Sequence, residues 1–205
     1  LRKIIPEDQL FPIVKTDAWV AHHAFGAWGK ERWMCKPTVD EYFGISDSLE
    51  QFCERSAWMQ CAGYQAVFEE ARRQWPHCSV AANWCYNEPW LTAAGNSILA
   101  YPNEPKPAYY TVKNSLKDVV ASARISKFTW ENNETFNAEI WYHNDSPETV
   151  SDKVTVVLSD KSEYPAEIIG ADSQTDLAVL KIDAKGLTPI EIGDAKELKV
   201  GQFVI

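Results

Sequence analysis

The chain has no apolar run near the ~20 residues that a bilayer-crossing helix needs. It has no recognisable signal peptide either: Leu1-Arg2-Lys3 leads into Pro6 and acidic residues, not into an apolar stretch. Basic residues are outnumbered, 20 Lys and Arg against 29 Asp and Glu. The net charge of −9 argues against nucleic acid or an anionic membrane as a partner. None of the cysteines, Cys35, Cys53, Cys61, Cys78 and Cys85, forms a C-x-x-C pair, so no zinc site is expected. Their odd number points to free buried thiols rather than a disulfide framework. No other cofactor is implied. After residue 150 there is no Trp and no Cys, whereas seven of the nine tryptophans precede residue 91. That shift in composition is the strongest boundary signal in the chain.

Hydrophobic residues make up 45% of the 205, ordinary for a globular protein of one or two domains. Residues 1–45 are punctuated by Pro6, Pro12, Gly26, Gly29, Pro37 and Gly44, and read as a long ordered loop with short helical turns. Adjacent His22 and His23 have no carboxylate or Cys at ligand spacing, so packing in the loop is the expected role. Residues 47–75 form the clearest helix. Asp47 and Glu50 resemble a capping box, and Pro76 ends the run. Leu49, Cys53, Ala57, Cys61, Tyr64, Phe68, Ala71 and Trp75 recur every three or four residues as one apolar stripe. Glu54, Arg55, Glu69, Glu70, Arg72 and Arg73 belong to the solvated face. Gly63 in mid-helix costs up to ~1 kcal/mol relative to Ala, which suggests close packing there.

The most informative stretch is 79–110. It opens as a short buried strand over 79–86 and sets Trp84, Tyr86, Asn87, Glu88 and Trp90 within seven residues. Pro89 biases Glu88 away from helix, and Lys106-Pro107 restarts one over 106–120. From there the period becomes two: Ala123, Ile125 and Lys127 alternate with Arg124, Ser126 and Phe128, and Ala138, Ile140 and Tyr142 alternate with Glu139 and Trp141. Asn132-Asn133-Glu134 supplies a turn. Strands follow at Val154, Val156 and Leu158, at 166–170 and at 177–182. Asn133-Glu134-Thr135 and Asn144-Asp145-Ser146 match the glycosylation pattern but read as turn residues.

Two resemblances follow from these residues. Trp-Cys-Tyr-Asn-Glu-Pro-Trp at 84–90, with Pro-Lys-Pro-Ala-Tyr-Tyr-Thr-Val-Lys at 105–113, resembles the eighth strand and helix of glycoside hydrolase family 2. The branch is that of the β-mannosidases and exo-β-glucosaminidases, whose pattern is W-x-x-N-D-x-W-P followed by K-P-A-Y-Y-A-V-K. Glu88 stands for its Asp and Leu91 for its Pro. The family's barrel is followed by an immunoglobulin-like sandwich, which residues 138–156 resemble. From 151, the chain resembles the barrel of HtrA-type serine proteases, with Asp-Ser-Gln-Thr-Asp-Leu-Ala-Val-Leu at 172–180 as the segment that carries the triad aspartate. That role maps to Asp176; Lys161 departs from the family's usual Gly.

The expected architecture is therefore α+β. Residues 1–120 correspond to the C-terminal fragment of a glycosidase (β/α)8 barrel, and 121–205 to an all-β region. Within the latter, 121–150 are immunoglobulin-like strands and 151–205 a protease barrel segment. Two βα units cannot close a barrel, so apolar surface on helix 49–75 implies a homo-oligomer or a rearranged fold.

Function is bounded by what each chemistry requires. Retaining glycosidases need two carboxylates ~5.5 Å apart. The resemblance puts both glutamates outside this stretch, leaving Glu88, with Glu104 as a conceivable second. Whether the chain is an enzyme is thus open: it is glycosidase-like by resemblance, and at most it binds a carbohydrate. Trp84, Asn87 and Trp90 either stack on and hydrogen-bond a sugar or plug the barrel end. Proteolysis needs Ser, His and Asp together with an oxyanion hole. Only Asp176 is in family context; His143 sits in a Trp-Tyr-His-Asn-Asp sequence, and Gly95-Asn96-Ser97 lacks the glycines that follow the family's serine. The expected function is a glycosidase fragment; the alternatives are an HtrA-like protease fragment or an inactive chimera. Members of both parent families are often periplasmic or secreted.

Overall fold

The computed structural model describes residues 1–25, 34–130, 134, 138–150, 154–157, 163–172 and 177–185. They fall into two units, Leu1–Lys117 and Asp118–Ile205.

The first unit is helical. A 3-10 turn at Glu7–Gln9 precedes α1 (Asp17–Ala21), α2 (Lys36–Phe43), α3 (Leu49–Arg73) and α4 (Pro107–Ser115), with the short antiparallel pair β1 (Leu99–Ala100) and β2 (Glu104–Pro105) before α4. Ser48, not Asp47, caps α3: its hydroxyl accepts from the Gln51 amide at 3.2 Å, while the Gln51 side chain accepts from the Asp47 amide at 2.8 Å. The box is therefore Ser48 with Gln51, one residue later than the sequence suggested. Helix α4 is shorter than expected, because its last turn gives way before the strand at Val119.

Two apolar clusters hold the unit. Ile5, Leu10, Ile13, Trp19, Val39, Leu49 and Phe52 form one, anchored where the Trp19 indole donates to the Gln9 carbonyl at 2.7 Å. Phe68, Ile98, Ala108 and Val112 form the other, between α3 and α4. The stripe on α3 needs correction: Leu49 and Phe68 are buried as expected, but so is Phe52, while Cys53 is exposed and Trp75 is 70% exposed. None of the five cysteines is fully buried, against the expectation of buried thiols.

The larger correction concerns Glu69, expected on the solvated face but only 1% exposed. It accepts from the Ser115 hydroxyl at 3.2 Å and from Gln65 at 3.0 Å, and it lies 3.7 Å from the guanidinium of Arg73, whose side chain is also buried. Arg72 donates to the carbonyls of Ser115 and Lys117 at 2.6 and 2.8 Å. These carbonyls lie at the last residue of α4 and just beyond its end, where helical partners run out, and Arg72 of α3 donates to both.

The second unit is antiparallel. Strand β3 (Val119–Ile125) pairs with β4 (Ala138–Asn144), with Ala123 opposite Ile140. Strands β5 (Val154–Val157), β6 (Glu163–Asp172) and β7 (Leu177–Ile182) form a three-stranded sheet in that order, with a register shift between Ile168 and Gly170. In the β3–β4 hairpin the polar parity faces inward. Val120, Ser122 and His143 are buried, whereas Ile125, Ile140 and Tyr142 are exposed. Asn144 closes a local turn, accepting from the Ser146 amide at 3.1 Å and hydroxyl at 2.6 Å. Among the described residues, no helix is long and apolar enough to cross a membrane.

Candidate functional site

The segment before Glu88 is not the expected buried strand. Val80 is 79% and Trp84 73% exposed, and its backbone pairing begins only at Tyr86. The Tyr86 carbonyl accepts from Ile98 and Leu99 at 3.2 and 3.0 Å, and the Glu88 amide donates to the Leu99 carbonyl at 3.0 Å. Leu99–Ala100 forms β1, which pairs with β2 (Glu104–Pro105). The arrangement splits the residues drawn together by the sequence. Trp84, Tyr86, Asn87 and Trp90 are exposed, while Glu88 alone turns inward and is buried.

Glu88 forms an ion pair with Lys106, which also donates to the Gly95 carbonyl at 3.1 Å. Its partner is thus a cation at the start of α4, not the carboxylate of Glu104, which is exposed on β2. Reading Lys106-Pro107 only as a helix start hid the ammonium's role. The loop 92–97 wraps this pair. A side chain at Gly95 would approach Glu88 Oε1 to 3.2 Å and Thr92 Oγ1 to 3.5 Å, so glycine admits the carboxylate. The loop is tied to α3, where the Tyr64 hydroxyl donates to the Asn96 carbonyl and Gln60 to the Ser97 carbonyl at 3.3 Å. Burial pushes the Tyr64 hydroxyl above its ordinary value. Ser97 is buried in this loop and lacks the glycine-lined setting of a nucleophile.

Trp90 meets both histidines, with ring centroids 5.7 Å from His22 and 5.3 Å from His23. The His22 Nδ1 lies 2.8 Å from the Leu91 carbonyl, which fixes Nδ1 as the donor. This is the packing role expected for the pair.

In the second unit, His143 Nε2 lies 3.1 Å from the Ser122 hydroxyl, both residues buried, and the Trp141 indole stacks near the imidazole at 6.2 Å and 14°. Ser122 did not figure in the sequence argument. The signal was present, since a period of two puts residue 122 on the face of residue 143 across an antiparallel pair. Asp176 lies outside the described residues, so no geometry joins it to His143. Neither the glycosidase pair nor a Ser-His-Asp set is assembled among the described residues.

Comparison with known proteins bears on the second unit. Residues 119–205 match the family described as Trypsin-like peptidase domain. Under half of the chain is covered. A "Probable periplasmic serine endoprotease DegP-like" of Pseudomonas savastanoi pv. phaseolicola is 51% identical over 55 residues, 27% of this chain and 12% of that protein. The protein of the same description from Halomonas elongata is 50% identical over 54 residues, 26% of this chain and 11% of that protein. A Pseudomonas putida relative is 46% identical over 55 residues. The chain therefore spans about an eighth of the length of these relatives. No solved structure matches. The family match begins at Val119 and so takes in β3 and β4, which the sequence reading assigned to an immunoglobulin-like sandwich. These matches support the HtrA-type resemblance; none supports the glycosidase one.

Proposed function

We propose that residues 119–205 are a segment of a DegP-like, trypsin-fold serine endoprotease domain in which Asp176 takes the place of the triad aspartate, and that these 205 residues do not hydrolyse peptides unaided. The observation that carries the reading is the 50% identity, over 54 residues, to the Halomonas elongata relative. The β5–β6–β7 antiparallel order is compatible with it. An aspartate in that position orients an imidazole and stabilises the imidazolium that forms when serine loses its proton; it attacks nothing itself. The 205 residues contain no G-N-S-G-G sequence, and the one Ser–His contact described, Ser122 with His143, is closed to a substrate by burial.

A segment exchange tests the proposal. Residues 151–205 replace the matching stretch of the Halomonas elongata relative, and casein hydrolysis is measured. The hybrid is expected to cleave casein and to lose about 10⁴-fold on Asp176→Asn. A folded hybrid that cleaves nothing, or cleaves equally well with Asp176→Asn, overturns it.

A second reading concerns the first unit. Trp84, Tyr86 and Trp90 stand exposed around Asn87, and exposed aromatic faces beside an amide suit sugar stacking. On this reading the unit binds a β-mannoside or β-glucosaminide without hydrolysing it, because Glu88 is held by Lys106. Trp fluorescence titration with these glycosides tests it, with Trp84→Ala expected to abolish the response. Turnover of an aryl β-mannoside that disappears in Glu88→Gln contradicts it.

A further inference from the structure

We draw no further inference here: the strongest candidate, the exposed apolar face of the β3–β4 hairpin built from Ala121, Ala123, Ile125, Ile140 and Tyr142, carries nothing because nothing among the described residues shows what covers it.

Discussion

The two units are held by different means. In the first, side chains carry charge into the interior: Glu88 with Lys106, and Glu69 with Arg73 and Ser115. In the second, the described contacts are mainly strand ladders, with the Ser122–His143 pair on the inner face of one hairpin. A ladder depends on backbone and tolerates many side chains. A buried ion pair depends on both partners, because removing one leaves a charge in a low dielectric. The first unit should therefore be fragile at a few named positions, and the second should respond weakly to single changes.

The sharpest way to break this contrast is Lys106→Met. Glu88 is then buried without its cation, and a loss of about 3–5 kcal/mol is expected, measured by urea unfolding followed through exchange of the α4 amides. Adding Glu88→Gln to Lys106→Met should recover most of the loss, because no unpaired charge is then buried. A double variant as unstable as Lys106→Met alone would place the cause elsewhere than Glu88.

In the second unit, Ser122→Val removes a hydroxyl from beside His143, and a cost of about 1 kcal/mol is expected in the exchange protection of the β3 and β4 amides. A cost as large as that of Lys106→Met would erase the distinction. Gly63→Ala, in α3 of the first unit, works in the opposite direction. Open space surrounds the added methyl, so stability should rise by up to ~1 kcal/mol, read as a higher urea midpoint. The smallest effect is at Cys53, where burial pushes the thiol above its ordinary value. Although the residue is open to solvent, its thiol is partly buried, and less thiolate is present at a given pH. Alkylation at about pH 8 should lag behind that of a solvated peptide thiol.

Much of the second unit could be read in advance. The run at 177–182 coincides with β7 and the alternation at 138–142 falls within β4, whereas the alternation read over 123–128 overlaps β3 only at 123–125 and leaves out its first four residues. Period-two patterns are local, so they survive without knowledge of what packs on them. They did not reveal which face turns inward: the apolar parity of Ile140 and Tyr142 is the exposed one. In the first unit, α3 was legible because 25 residues of regular spacing leave little choice. The fate of Glu69 was not, because its partner Ser115 lies 46 residues away and no local pattern announces it. The same holds at the candidate site. The sequence picked out Glu88 with its aromatic neighbours, but Gly95 and Lys106 decide that its carboxylate points away from them.

On the proposed reading, Asp176 stands in the place of a protease's aspartate, and these 205 residues hold no serine in the matching G-N-S-G-G setting. Labelling of the purified chain with a serine-directed fluorophosphonate, mapped by mass spectrometry, tests this most directly. The prediction is that no serine forms a covalent adduct. A single labelled serine whose labelling disappears in Asp176→Asn or His143→Ala would contradict it.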